Sequence, residues 1–330
     1  MQSIRPGWSP AVEHAEQIDA LLLPLALAWD AALGEPPGAV HPVVWMGRAA
    51  RLIERCAPEH GRAGQFAFGM ALAIGPPTAY ASAVGWCWRR LRRWPLIALV
   101  AGVPLLKAMF ALRALREAGE GVRAPLAAGD LAGARRGLRS LVSRDASGLD
   151  RALVAAAAVE SLAENLGDSV VAPLCAYVVG GLPGVVAYRA INTLDAMIGY
   201  RGRYEWLGKA AARLDDLLNL LPSRLAALLI VGAAAAAGED ARGAWRIARR
   251  DARLTPSPNA GWPMAAMAGA LGVELEKVGH YRLGAGGAAA DQVAIARADR
   301  LVTMAAWGAV TLAYAARILV RRRWGRRWAG

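Results

Sequence analysis

The sequence predicts an all-α, polytopic membrane protein with four to six membrane-embedded helices, accompanied by amphipathic or soluble helices. Three observations carry this prediction. Several runs are uncharged, or nearly so, over the roughly 20 residues that a spanning helix requires. Hydrophobic residues make up 56% of the 330-residue chain. The net charge of +13 comes almost entirely from arginine, with lysine only at 107, 209 and 277. A basic balance suits nucleic acid, an anionic membrane surface or anionic substrates. The chain has no arginine–aromatic stripe and no zinc-finger spacing, so no nucleic-acid partner is expected and the apolar runs favour the membrane.

Taken in order, residues 1–17 (MQSIRPGWSPAVEHAEQ) are polar and acidic for a signal peptide, and no small-x-small cleavage site follows, so no cleavage is expected. Residues 18–33 form a short span or a buried helix. The next stretch, GEPPGAVHPVVWMGR at 34–48, carries X-Pro units and glycines that fix an extended turn. Its His41 and Arg48 belong either to a well-made loop or to a pocket. Residues 66–88 carry no charge and are long enough to span. The RRLRR that follows at 89–93 is expected on the cytoplasmic side. Residues 94–112 also qualify, with Lys107 near one end where its ammonium can snorkel to water. Cys56, Cys87 and Cys175 form no CxxC motif and are read as small buried hydrophobes, with nothing demanding an oxidising compartment.

Within the basic loop 113–168, Arg144-Asp145 reads as a helix cap, an ion pair or an anion contact. Alanine runs at 155–158 and 233–237 suit closely packed helices. Within AVESLAENLGDSVVAPL, residues 158–174, Glu160, Glu164 and Asp168 recur at steps of four, which places them on one helical face. Stacked like charges repel. The residues alone leave two readings open: a solvated face, or an oxygen-donor set for a hard cation such as Mg²⁺, completed by Asn165. The uncharged run 169–188 is rich in glycine and proline. Strict alternation of spans would separate the loop 113–168 from the polar segment after 188. One run is therefore expected to be re-entrant or buried in protein, and 169–188 is the first choice.

The segment YRAINTLDAMIGYRGRY, residues 188–204, sets Arg189, Asn192 and Asp195 at steps of three, followed by Tyr200, Arg201, Arg203 and Tyr204. Arginine forks suit phosphate and carboxylate groups. Arg213, Asp215, Asp216 and Asn219 follow. These residues form either a structural network or part of a site. Residues 221–238 are another short span or buried helix. The proline-broken loop at 255–261, with Ser257 and Asn259, opens a small-residue helix, as a plain helix start or as an anion site. Residues 301–320 make a last span, with RRRWGRRW behind it as a basic, tryptophan-bearing anchor. The chain has no Walker phosphate loop, no GxSxG, no HExxH and no Rossmann fingerprint in context, and its four histidines are scattered.

GEPPGAVHPVVWMGR, LVSRDAS, VESLAENLGDSVVAPL, YRAINTLDAMIGYR, ARLDDLLNLLPSRL and SPNAGWPMAAMAGALG together resemble the CobD/CbiB family of adenosylcobinamide-phosphate synthases. The resemblance runs over residues 30–272. Its most specific parts are AEN-x-x-D-x-VVAPL and NTLD-x-M-x-GY. The chain departs from the family pattern at Glu35, where aspartate is usual, at Ser169, where glycine is usual, and at Met264, often an acid.

The resemblance implies a single membrane-embedded domain over 1–330 that joins adenosylcobyric acid to (R)-1-amino-2-propanol O-2-phosphate, using ATP and Mg²⁺. It implies a multi-pass protein of the bacterial inner membrane with a cytoplasm-facing site, and other late enzymes of the cobalamin pathway as partners. For such chemistry we expect Glu160, Glu164, Asp168 and Asp195 to be catalytic, and Glu164, Asp168, Asp215 and Asp216 to hold metal. Asn165, Arg189, Asn192, Arg201, Arg203, Arg213, Asn259, His41 and Arg48 are expected to bind substrate or phosphate. The rival readings are a polytopic permease, which would more often show repeated halves, and a corrinoid-binding assembly partner without chemistry.

Overall fold

The computed structural model describes residues 10–142 and 145–327, with side chains over 18–142 and 145–319. The proposed role of Arg144 and the side chains of the tail 321–328 lie outside the described residues. The described chain is predominantly helical, with almost no strand, as the apolar runs require. Among the described residues four helical stretches are long and apolar enough to cross a membrane: Pro95–Ala127, Arg151–Ile198, Leu220–Ala237 and Gln292–Leu319. They cover the predicted runs at 94–112, 169–188, 221–238 and 301–320. Large apolar side chains on these stretches point outward, with Leu96 75%, Val100 67% and Val179 87% exposed. In water such surface would be a liability. In a bilayer it is the expected lipid-facing side, and the protein is a multi-pass membrane protein.

The chain forms two compact units. The first comprises Met1–Phe110, Pro173–Asp215 and Val310–Gly330. It contains α1 (Pro10–Leu33), α2 (Pro42–Glu54), α3 (Arg62–Leu91) and α4 (Pro95–Lys107). Helix α1 packs along α4, which also touches α3. A small core of Ala50, Leu72, Ala73, Leu194, Ile198, Leu207 and Ala211 binds α2 and α3 to the segment 194–211. Two glycines make this possible. A Cβ at Gly69 would stand 1.9 Å from the Leu207 carbonyl, and one at Gly208 would stand 1.7 Å from that of Ile198. The loop 199–208 is thus pressed against backbone on both sides.

The second unit comprises Ala111–Ala172 and Asp216–Ala309. It holds α5 (Leu112–Ala127), α6 (Leu131–Leu138) and α7 (Arg151–Leu166). Helix α7 packs against α5 and α6, and Ala155–Ala158 are fully enclosed, as the alanine run predicted. A π-helical turn, Gly167–Val171, interrupts the helical run before α8 (Ala172–Ile198). α9 (Lys209–Leu218) leads to α10 (Leu220–Ala237), α11 (Ala241–Asp251) and α12 (Gly261–Leu271). Helices α11 and α12 cross at a glycine pair, where a Cβ on Gly269 would meet the Gly243 carbonyl at 2.3 Å. A three-stranded sheet, absent from the sequence-based expectation, follows in the order β2-β1-β3, from β1 (Val273–Lys277), β2 (Tyr281–Leu283) and β3 (Ala288–Ala289). Helix α13 (Gln292–Arg327) completes the chain. Asp130, Asp150, Asp240 and Asp291 each accept the N–H three residues on, starting α6, α7, α11 and α13. Such caps contribute about 1 kcal/mol each.

Two expectations are corrected. Lys107 does not snorkel. It is fully buried and paired with Asp30 and Glu35, because α4 ends at Lys107 and turns its ammonium toward the 30–35 segment. Cys56 and Cys87 are exposed and Cys175 is half-buried. Cys56 lies in the turn that follows α2 and Cys87 on α3, where no packed neighbour encloses either. The run 169–188 is a broken helix: Gly181 adopts φ 61°, ψ −151°, and Pro183 follows. Arg317 satisfies the break by donating to the Val178 carbonyl at 3.3 Å, its guanidinium lying over the Tyr177 ring. Irregular backbone at membrane depth needs such protein partners.

Candidate functional site

The predicted site residues fall in both units, and each cluster has its own geometry. In the second unit Glu160 is buried, while Glu164, Asn165, Asp168 and Ser169 are half-buried. Glu160 and Glu164 sit on regular α7. Asp168 lies in the π-helical turn, closed by the Ala172 N–H donating to the Gly167 carbonyl five residues back. Single π turns recur at functional sites, and no residue pattern announced this one. Asn165 donates to the Ser161 carbonyl at 3.0 Å and to its hydroxyl at 3.2 Å, and accepts from Ser169 at 3.4 Å. Ser169 thus steadies Asn165 through a hydroxyl that glycine lacks.

Among the described residues no three His, Cys, Asp or Glu side chains come close enough to hold a metal ion. The stacked carboxylates therefore do not form a closed protein cage. Mg²⁺ does not require one: it is commonly held by one or two carboxylates plus substrate phosphates. Half-buried Glu164 and Asp168 offer that partial donor set.

Asn259 sits at a buried knot in the same unit. Its amide nitrogen donates to the Asp216 carbonyl at 2.7 Å, and its oxygen accepts from Arg224 at 2.6 Å and Ser223 at 3.3 Å. The Ser257 hydroxyl accepts the N–H groups of Asn259 and Ala260. The helix-start amides read as an anion site are thus partly engaged by serine. Arg224, which the sequence did not single out, is held over the Trp262 ring. Met264 is 2% exposed within α12.

In the first unit a polar chain links α8 to α9. Arg189 donates to Asn192 at 3.1 Å, and Asn192 donates to Asp215 at 3.2 Å. The step of three that aligned Arg189 with Asn192 is realised on the helix. The buried Nε of Arg189 has no hydrogen-bond partner among the described residues. Asp195 is half-buried, and its carboxylate folds over Gly199, where a Cβ would meet it at 2.0 Å. Arg201, Arg203, Arg213 and Arg48 are exposed, and Asp216 is half-buried.

His41 is engaged within its own loop. Its Nδ1 accepts from the Val43 N–H at 3.2 Å, capping α2, so Nε2 carries the hydrogen and donates to Glu35 at 3.0 Å. Burial pushes the Glu35 carboxyl up, but hydrogen bonds from His41 and Lys107 and the lysine charge outweigh it and hold the group below its ordinary value.

A second arginine group, legible only in three dimensions, lines a cleft of about 590 Å³ in the first unit, where Arg203 meets Arg51 and Arg55 of the α2 end.

The profile of the CobD/Cbib protein family matches residues 23–306. Among relatives, "Cobalamin biosynthesis protein CobD" of Dehalococcoides mccartyi is 46% identical over 265 residues, 80% of this chain and 86% of that one. The protein of the same name from Chromobacterium violaceum is 42% identical and covers 91% of this chain and 97% of its own. "Probable cobalamin biosynthesis protein CobD" of Methanocaldococcus jannaschii is 39% identical over 82% of this chain and 89% of its own. No solved structure matches the chain.

Proposed function

The chain belongs to the CobD/CbiB protein family, whose role is in cobalamin biosynthesis, and on that premise we propose that it is an ATP-dependent amide ligase. It joins the propionate carboxyl of adenosylcobyric acid to the amine of (R)-1-amino-2-propanol O-2-phosphate, giving adenosylcobinamide phosphate at the bacterial inner membrane, with the reaction facing the cytoplasm. A carboxylate is a poor acylating agent. Its oxygen attacks the γ-phosphorus of ATP, releasing ADP and leaving an acyl phosphate. The free amine then attacks the acyl carbon, inorganic phosphate leaves, and the ammonium proton passes to a base.

The observation that carries the reading is the buried Nε of Arg189, which has no acceptor among the described residues. A buried donor left unsatisfied costs about 1–3 kcal/mol, and a phosphate oxygen is a natural acceptor for a guanidinium. The polar chain through Asn192 to Asp215 holds that guanidinium in place. Within the second unit, Glu164 and Asp168, with Asn165 as an oriented amide, would hold Mg²⁺, and Asp216 is a further donor. When bound, the ion supplies charge neutralisation at phosphate oxygens. Glu160 or Glu164 would take the ammonium proton.

The test is incubation of the detergent-purified protein with adenosylcobyric acid, aminopropanol phosphate, ATP and Mg²⁺, followed by mass spectrometry. Amide product that depends on ATP and on Mg²⁺ is the expected result. Tight corrinoid binding without product would replace the ligase by a corrinoid-binding assembly partner.

A further inference from the structure

We propose that the cleft between the end of α2 and the 199–208 loop binds a small molecule carrying both a phosphate and an amine, with Arg51, Arg55 and Arg203 on the phosphate and Glu54 and Glu59 facing the ammonium. The cleft lies wholly in the first unit and encloses about 590 Å³, within the usual size of small-molecule sites. Its lining brings three guanidinium groups and two carboxylates together. Arg51, Glu54 and Arg55 follow one another at i, i+3 and i+4, so α2 presents them on one face.

The opposite wall is built rigidly. Gly69 and Gly208 let the 199–208 loop sit against α3 and the α8 end at distances that any Cβ would forbid. The Tyr204 hydroxyl donates to one Glu54 oxygen at 2.6 Å, leaving the second free to accept from a ligand. Gln65 donates to the carbonyls of Pro58 and Glu59 and fixes the third side.

Charge decides the ligand class. Among the described residues none of Arg51, Arg55 and Arg203 forms an ion pair, and the Arg203 guanidinium lies over the Tyr204 ring at 5.3 Å. Three like charges around one cleft repel, and a phosphate dianion relieves that repulsion through charge-assisted hydrogen bonds. A simple anion would leave Glu54 and Glu59 facing it. A phosphorylated amine satisfies both sets. The identity of the amine as aminopropanol phosphate rests on the ligase reading; the zwitterion chemistry of the cleft does not.

The experiment is calorimetric titration of the full-length, detergent-purified protein, without corrinoid, against four probes: aminopropanol phosphate, unphosphorylated 1-amino-2-propanol, inorganic phosphate and ATP. The variants are Arg51→Gln/Arg55→Gln, Arg203→Gln and Glu54→Gln, with Arg113→Gln as a control outside the cleft and melting temperature as the check on folding. Aminopropanol phosphate is expected to bind best among the three small probes, to lose at least tenfold in affinity in each cleft variant, and to be unaffected by the control. ATP affinity is expected to be unchanged in the cleft variants.

Inorganic phosphate binding as tightly as the amine phosphate would remove the carboxylates from the proposal and overturn it. Loss of ATP rather than amine-phosphate affinity would assign the cleft to nucleotide, again overturning it. Product formation by the unmodified protein, with amine-phosphate affinity unchanged in all cleft variants, would sink the cleft and leave the ligase standing. Loss of that affinity in the variants, with no product from the unmodified protein, would keep the cleft and sink the ligase.

Discussion

The ammonium of Lys107 lies 2.6 Å from a carboxylate oxygen of Glu35 and 3.0 Å from one of Asp30, and Lys107 is wholly buried. One cation thus ties the end of α4 to the end of α1 and to the turn that follows it. The Phe110 carbonyl accepts a further hydrogen bond at 3.3 Å. Removing one partner of a buried charge pair leaves the others uncompensated, at about 3–5 kcal/mol. Lys107→Met is therefore expected to lower the melting temperature in detergent sharply. An unchanged melting curve would show that the network contributes nothing.

The same network sets an acid limit. Glu35 has a folded-state pKa below its ordinary 4.5. Its stabilising contribution is fully present above 4.5 and is lost as the pH falls through the lowered folded value. Melting temperature followed downward from neutral pH should drop in that acid window. Glu35→Gln should flatten that part of the profile, and an identical drop in the variant would exclude Glu35 as its source.

Glu164→Ala and Asp195→Ala are each expected to abolish turnover while leaving membrane insertion intact. Both side chains are only half-buried, so their loss opens no large cavity. Normal product formation in either variant, measured on protein extracted from the membrane fraction, removes that residue from the proposed chemistry.

Asn259→Ala breaks three hydrogen bonds at once and leaves Arg224 and the Asp216 carbonyl without their amide partner. The expected cost is about 1–3 kcal/mol per buried group left unsatisfied. Asn259→Asp keeps the acceptor for Arg224 and loses the donor to Asp216. Thermal melts should therefore rank the native protein above Asn259→Asp and Asn259→Ala lowest.

Glycine substitutions separate close approach from simple helix propensity. Gly208→Ala places a Cβ 1.7 Å from the Ile198 carbonyl and must displace the 199–208 loop. Overpacking of this kind costs typically about 1–3 kcal/mol, occasionally more. Gly232→Ala meets nothing within 4 Å and gains about 0.5–1 kcal/mol from helix propensity. Opposite shifts in melting temperature are expected, and equal shifts would show that the loop tolerates movement.

The helices over 94–112, 169–188, 221–238 and 301–320 were legible because the run of uncharged residues is a local property that the bilayer reads directly. Helix α3 was legible as well, but Pro76 and Pro77 lie inside it, and it falls outside the four stretches apolar enough to span. The pairing of Arg189 with Asn192 was legible because three residues on a helix is a fixed rotation. Its link to Asp215 was not, since nothing local says that α9 returns to α8. The step of four from Glu164 to Asp168 was readable, but the π-helical turn that closes around Asp168 was not. Local spacing does not distinguish a five-residue hydrogen bond from a four-residue one.

By itself the sequence determined the helical class, several of the long apolar stretches and the family, because each rests on composition, local period or a matched run of residues. Tertiary structure alone decided that Lys107 is a buried cation, that His41 is spent on its own loop, and that Arg51 and Arg55 join Arg203 around one cleft. Arg51 and Arg203 stand 152 positions apart in the chain. Only the close packing of the 199–208 loop at Gly69 and Gly208 brings such distant charges to a common surface.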